Sequence, residues 1–111
     1  MNGKGKNRRV VFKKLLQRPG SLRTVGEAIK DYVEKLWKEY DIVELDFENE
    51  TVASGSLFDE IAKLFNEYPK EEVKRRLRFV NIDPWDERLI VHLAKLRMAH
   101  KKKPVQNEHT R

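Results

Sequence analysis

The stretch IVELDFENETVASGSLFDE, residues 42–60, decides the fold. Residues 42–47 form an almost continuous apolar run, as expected of a parallel β-strand that is covered on both faces. A short polar turn follows, and Ser54 and Ser56 then stand before an amphipathic pattern that predicts a helix. A strand, a turn and a capped helix are the repeating parts of an open α/β sheet, in which ligands and partners usually bind at this edge.

The residues before this stretch predict one strand and one helix. Residues 9–17 contain short apolar pairs and favour a strand. Apolar residues then recur at i, i+3, i+4 spacing and predict a helix that ends near Tyr40. Thr24 with Glu27 fits a capping box and indicates that the helix begins at Thr24.

The residues after it continue the alternation. Residues 69–76 predict a short charged helix, and residues 77–82 a third strand. Asp83 with Pro84 predicts the start of a last helix, which we expect to end near His100. The order β-α-β-α-α-β-α predicts an α/β fold, with a small, mostly parallel β-sheet and packed helices.

Composition limits the class of protein. A chain of 111 residues fits one domain, and its 38% charged residues indicate a small core under a charged surface. The absence of Cys excludes disulfides, thiolate metal sites and a Cys nucleophile. No apolar run approaches the roughly 18–20 residues that span a bilayer. No apolar core follows the basic N-terminus, so we expect no signal peptide and a cytoplasmic protein.

The net charge of +6 is unevenly placed along the chain. Residues 1–23 carry +8, residues 24–96 carry −6 and residues 97–111 carry +4. Because the body is acidic and both ends are basic, the pattern suggests that the ends attract negatively charged partners. The sequence therefore predicts three segments: a disordered basic N-terminus (1–8), an α/β domain (9–100) and a disordered basic tail (101–111).

Several short motifs together resemble a known family. These are LDF at residues 45–47, Ser54 after six further residues, and SLFDE at residues 56–60. They resemble the STAS-like domain of unknown function found in bacteria, archaea and phages, which reads as a strand, a turn, a Ser-rich step and a helix. Arg23 resembles the Arg with which the family's first helix begins. Residues 78–82 resemble the family's third strand. The resemblance covers about residues 10–95.

The resemblance implies a regulatory role. STAS domains are similar to the anti-sigma factor antagonists, small domains that bind an ATP-dependent serine kinase or a sigma-control partner. In those proteins a Ser at the start of the second helix is phosphorylated, which implies Ser54 or Ser56 as the phosphoacceptor here. A phosphate there adds about −1.5 to −2 charge beside a positive helix end and blocks the surface. The implied partner is a kinase-like ATPase or a transcription regulator.

The sequence thus predicts a non-catalytic, regulatory, protein-binding module. The expected contact residues open the second predicted helix: Ser54, Gly55, Ser56, Leu57, Phe58, Asp59 and Glu60. Two simpler interpretations remain open. In the first, one serine caps the helix and has no further role. In the second, Asp59 and Glu60 lie in the first turn because the helix dipole favours negative charge there. Asp46, at the end of an apolar strand, is expected to hold the following turn by hydrogen bonds.

The alternative function is nucleic-acid association through the basic ends. The expected contacts are Arg8, Arg9, Lys101, Lys102 and Lys103. Solvated, solubilising tails explain the same charge, and neither end has interleaved aromatic residues on which bases stack.

Nothing in the sequence points to catalysis. It has no Gly-rich phosphate loop and no Ser-His-Asp order, and its three His residues are scattered. We therefore expect no enzyme activity, no metal and no cofactor. Asp83, Asp86 and Glu87 are explained by helix capping, and Trp37 and Trp85 lie on apolar stripes that predict core positions.

Overall fold

The structure, a computed structural model, describes the backbone of residues 5–107 and the side chains of residues 5–99. Its three strands are separated by helices as the sequence predicts, with two additional helices of four residues each. The elements are β1 (Asn7–Val11), α1 (Phe12–Leu15), α2 (Leu22–Trp37), β2 (Ile42–Asp46), α3 (Gly55–Ala62), α4 (Leu64–Glu67), α5 (Lys70–Arg76), β3 (Leu77–Val80) and α6 (Pro84–Asn107).

The three strands form one parallel sheet in the order β1-β2-β3. Leu45 of β2 pairs with Val10 on one side and with Phe79 on the other. Both pairings are parallel, so the predicted α/β class is confirmed.

Helices cover one face of the sheet. Val43 and Leu45 of β2 are fully buried, whereas Glu44 and Asp46 alternate with them and stay partly exposed. Successive side chains of a strand point to opposite faces, so the buried pair faces the helices. The prediction of a strand covered on both faces is corrected here; the charged Glu44 marks the open face.

The first strand is shorter than predicted and begins earlier. It starts at Asn7, inside the segment that we expected to be disordered, and ends at Val11. A helical turn replaces the expected continuation because Phe12 and Leu15 are both buried. Residues three apart share a face of a helix but not of a strand. Residues 1–4 lie outside the described part of the chain.

Two helix ends also differ from prediction. Helix α2 is capped by Ser21, whose Oγ accepts a hydrogen bond from the Thr24 N–H at 3.1 Å, so Thr24 lies inside the helix. Helix α6 runs on to Asn107, past the predicted end near His100. Lys has a high helix propensity, so a lysine run does not by itself end a helix. The last four residues of the expected tail, 108–111, lie outside the described residues.

The core lies between the sheet and α2, α3 and α6. Phe12 and Phe47 stack with ring centroids 4.2 Å apart, and Phe58 of α3 lies 6.1 Å from Phe47. This aromatic cluster sits where β2 ends, and so it supports the loop that leads into α3.

Candidate functional site

The carboxyl edge of the sheet carries two unusual loops. Residues 47–54 join β2 to α3, and residues 81–83 join β3 to α6. Four non-glycine residues there have left-handed backbone: Glu48 (φ 53°), Asn49 (φ 65°), Ala53 (φ 50°) and Asn81 (φ 53°). Such conformations cost energy, persist only where surrounding contacts hold them, and often mark functional loops.

Asp46 holds the first part of the longer loop. Its Oδ1 accepts hydrogen bonds from the Glu48 N–H and from Nδ2 of Asn81, both at 3.0 Å. The bond from Asn81, followed by that from Glu48, lowers the pKa of Asp46. The predicted role of Asp46 in tying down the turn is confirmed, and the carboxylate joins the two loops.

Asp86 holds the second part of the same loop. Its carboxylate is fully buried and accepts hydrogen bonds from the Val52 N–H at 2.7 Å and the Ala53 N–H at 2.8 Å. Two charge-assisted bonds of this kind fix a loop firmly against a helix. The capping interpretation is correct for Asp83, which accepts from the Trp85 N–H at 3.0 Å, but it missed the role of Asp86.

The two serines have different environments. Ser54 is 6% exposed and caps α3, since its Oγ accepts from the Leu57 N–H at 3.2 Å. Ser56 is partly exposed, and its Oγ lies 3.5 Å from that of Ser54. Of the two interpretations left open by the sequence, capping therefore holds for Ser54.

The structure divides the predicted contact residues into a buried and an accessible group. Leu57 and Phe58 are fully buried, and Glu60 is 2% exposed. A core side chain cannot meet a partner without unfolding the helix, so these three are corrected from contact to core positions. The accessible residues, which lie at the start of α3, are Gly55, Ser56 and Asp59.

Asp59 and Glu60 link α3 to its neighbours. Asp59 accepts two hydrogen bonds from Arg97 of α6, at 3.1 and 2.7 Å. Glu60 forms ion pairs with Arg23 of α2 at 2.6 Å and with Lys63 at 2.7 Å. These acids anchor three helices, a role beyond the dipole interpretation. No local sequence pattern shows it, because Arg23 and Arg97 lie 36–38 residues from the acids they contact.

The cations keep both acids ionised. Hydrogen bonds from Arg97 are the largest influence on the pKa of Asp59 and lower it; burial opposes them, and Arg23 adds to them. Burial alone raises the pKa of Glu60, but Lys63 and Arg23 outweigh it, so this pKa also lies below its ordinary value.

The two tryptophans differ sharply. Trp37 is 8% exposed and donates its Nε1–H to the Arg76 carbonyl at 3.0 Å, so its predicted core position is confirmed. Trp85 is 60% exposed, which corrects the prediction for that residue. The helical spacing in the sequence already indicates this difference. Trp85 precedes the buried Ile90 by five residues, which places the two about 140° apart around the helix.

The predicted nucleic-acid contacts are only partly described. Arg9 pairs with Glu44 at 3.1 Å across the open sheet face, and the Arg8 guanidinium lies 5.8 Å from the Tyr40 ring centroid. Both belong to β1 and not to a free arm. The side chains of Lys101, Lys102 and Lys103 lie outside the described residues, so nucleic-acid binding stays a prediction.

The part of the chain that the structure describes contains neither a cluster of metal ligands nor a membrane-spanning helix. Within it, no three His, Cys, Asp or Glu side chains come together in a way that suits a metal ion. None of its helices combines the length and the apolar character that crossing a membrane requires.

A parallel three-stranded sheet with helices on one face and a structured carboxyl edge defines a small α/β domain of STAS-like type. The family model described as STAS-like domain of unknown function (DUF4325) matches residues 25–87. The chain belongs to this family, and the resemblance noted from its motifs is confirmed. The match includes both loops, Trp85 and Asp86. Comparisons with curated proteins and with solved structures gave no significant match.

Proposed function

We propose that the chain is a non-catalytic regulatory module that binds a protein partner through the carboxyl edge of its sheet. The contact area, here called the loop surface, consists of residues 48–53, the accessible start of α3 at Gly55 and Ser56, and Trp85. A kinase-like ATPase or a transcription regulator is the partner that the family resemblance favours.

The exposure of Trp85 is the observation that carries the proposal. Trp85 is 60% exposed, so a partner that covers its large apolar ring removes much apolar surface from water. Exposed tryptophans are enriched among the residues that dominate binding energy at protein interfaces. Trp85 is the sequence neighbour of Asp86, whose carboxylate holds residues 52 and 53, and it begins α6 at the same edge of the sheet as the loop.

The loop is already shaped before a partner arrives. Asp46 and Asp86 accept its N–H groups from two sides, and its left-handed residues are held in place. Pre-organisation favours affinity because less conformational entropy is lost on binding. The arrangement supports binding, because the carboxylates of Asp46 and Asp86 are occupied by the hydrogen bonds that hold the loop.

Ser56 is the proposed point of regulation. Ser54 is buried and its oxygen is used by the cap, whereas the Ser56 hydroxyl is partly accessible. A phosphate on Ser56 adds about two negative charges in the first turn of α3, within the loop surface. A partner that covers this surface is then excluded.

Binding by the full chain tests the proposal. The probes are purified kinase-like ATPases and transcription regulators encoded next to this chain, measured by isothermal titration calorimetry. We expect Trp85→Ser to weaken binding by about 2 kcal/mol, as at other aromatic anchors. Ser56→Glu is expected to weaken it and Ser56→Ala to leave it unchanged.

The matched control is Leu96→Ser. Leu96 is also an exposed large apolar residue, at 51%, but it lies eleven residues farther along α6 than Trp85, about three helical turns from the loop surface. A partner whose affinity falls equally in Trp85→Ser and Leu96→Ser contradicts the assigned surface. Binding that is unaffected by Trp85→Ser also contradicts it.

A further inference from the structure

The sheet has a free edge at β3. Strand β3 pairs with β2 on one side, and no other strand of residues 5–107 pairs with it on the other. An open edge offers a row of main-chain N–H and C=O groups to an incoming strand. Proteins often cover such edges, and recognition domains use them to bind extended peptides.

A groove runs beside this edge, between β3 with α5 on one side and α6 on the other. Its volume is about 510 Å³, which is the size of a ligand or peptide pocket. Most of its lining is apolar: Phe65, Leu77, Phe79, Ile90, Val91, Ala94 and Met98. Val91 is 45% exposed on the α6 side, so the apolar surface reaches the mouth.

Cations surround the apolar lining. Lys70 and Lys74 contribute from α5 and Lys95 from α6, against the single acid Glu87; Arg78 borders the groove from β3 and lies in register with Glu44 of the open face. No ion pair within residues 5–99 uses any of these four cations, although Arg75 and Arg76 of the same helix α5 pair with Asp41. The groove therefore presents unneutralised positive charge around an apolar floor.

We propose that this groove binds an extended acidic segment of a protein partner, which adds to the sheet as a fourth strand along β3. The main chain of the segment bonds to the free edge of β3. Every second side chain of the segment faces the groove: those over Leu77 and Phe79 are apolar, and those nearer the rim are acidic and meet the lysines. This site is separate from the loop surface and does not depend on it.

The features of the groove favour a peptide over a nucleic acid. A free strand edge is a partner for a main chain, and nucleic acids have no equivalent donor and acceptor row. Nucleic-acid binding by the same cations is treated as an outcome of the test.

The test uses eight-residue peptides labelled with a fluorophore and the full chain. The probe reads Glu-Thr-Val-Thr-Val-Thr-Glu-Thr, so that valine and glutamate lie on the same face of the strand; the matched control peptide has lysine in place of every glutamate. Fluorescence anisotropy is expected to show saturable binding of the acidic peptide that weakens as salt is raised, and at least about tenfold weaker binding of the basic peptide. Equal affinity for the two peptides overturns the proposal.

Charge reversal locates the site. Lys74→Glu with Lys95→Glu is expected to raise the Kd for the acidic peptide at least about tenfold. Lys35→Glu with Lys38→Glu on α2 changes the net charge equally and is expected to have a small effect. Equal losses of peptide affinity in the two double variants overturn the proposal. It is also overturned if a single-stranded DNA of similar length binds more tightly than the acidic peptide and loses affinity in the Lys74→Glu, Lys95→Glu variant. Trp85→Ser leaves peptide binding unchanged, which separates this site from the proposed function.

Strand addition has its own readout. Backbone amides of residues 77–80 are expected to shift in NMR spectra and to exchange more slowly with solvent when the acidic peptide is bound. A peptide that is N-methylated at alternate residues, so that it cannot donate along one edge, is expected to lose binding. Retained affinity of that peptide, or shifts confined to other parts of the chain, overturns the assignment to the β3 edge.

Discussion

Ser54 and Ser56 stand two residues apart at the start of α3, and only their surroundings distinguish them. The Ser54 oxygen satisfies an N–H group that has no partner within the helix. Ser56 is the second residue of α3, and its side chain is partly exposed. A cap serine contributes to stability, whereas a serine inside the first turn is free to carry a modification.

The first prediction concerns the cap. Ser54→Ala is expected to lower the free energy of unfolding by about 1 kcal/mol, the usual cost of losing a Ser cap. Ser56→Ala is expected to change it by less than about 0.5 kcal/mol. Urea denaturation followed by circular dichroism measures both. A larger loss in the Ser56 variant would show that the cap is assigned to the wrong residue.

For single residues, the sequence predicts that a polar side chain needs hydrogen-bond partners better than it predicts which distant residues those partners are. It identified Asp46 as a turn anchor, because an acid at the end of an apolar strand needs partners. It did not identify Asp86, because an acid in the first turn of a helix satisfies the capping pattern whether it faces that helix or a distant loop. The partners of Asp86 are 33 and 34 residues away, and no local pattern encodes them.

Helices α2 and α3 cross so closely that only glycine fits at one position of α2. A Cβ on Gly26 would lie 2.6 Å from the Leu57 carbonyl oxygen and 3.0 Å from the Glu60 Cβ. The obstacle is mainly backbone and cannot move aside by a change of rotamer. Gly26 therefore sets the distance at which α3, with its cap and loop, packs against the rest of the domain.

The second prediction follows from this contact. Gly26→Ala raises helix propensity by about 1 kcal/mol. The overpacking costs more, about 1–3 kcal/mol, so we expect a net loss of stability. Gly55→Ala is the matched control: it is also helical, and an added Cβ meets nothing within 4 Å. We expect Gly55→Ala to be neutral or stabilising. Denaturant midpoints compare the two, and a stabilising Gly26→Ala would contradict the close crossing.

The order of the three strands and the longer helices followed from the sequence, whereas the element ends and the short helices α1 and α4 did not. Periodicity predicts which face of a segment is apolar, and this was enough to place three strands between helices. The end of β1 depends on Phe12 meeting Phe47 of a distant strand. The start of α2 depends on whether Ser21 or Thr24 supplies the cap, and both fit the local preference.

Across the whole molecule, a charged network joins three helices that the chain presents in separate segments. Arg23 of α2 and Arg97 of α6 both contact Asp59 of α3, and Arg23 also pairs with Glu60. Asp59 and Arg97 are about three-quarters buried, so their bidentate contact is screened less by water than an exposed pair. The network therefore contributes to how α2 and α6 pack on α3.

The third prediction is acid destabilisation. Asp46, Asp59 and Glu60 have folded-state pKa values below their ordinary values of 3.8 for Asp and 4.5 for Glu. The folded state therefore binds protons less readily than the unfolded chain. The stability that these groups contribute is fully present above about pH 5 and is lost as pH falls through their folded-state pKa values. We expect the free energy of unfolding to fall steeply below about pH 4.5.

A variant separates the network from general acid effects. Asp59→Asn is expected to lower the free energy of unfolding at pH 7 by about 1–2 kcal/mol, because the Arg97 contact is lost. It is also expected to flatten the loss between about pH 5 and pH 2, because one fewer group takes up a proton on unfolding. Glu27→Gln, at an exposed position of α2 outside the network, serves as the control. Urea unfolding at a series of pH values measures both slopes. Equal slopes for Asp59→Asn and the unsubstituted chain would show that the Asp59 carboxylate is not held ionised by Arg97.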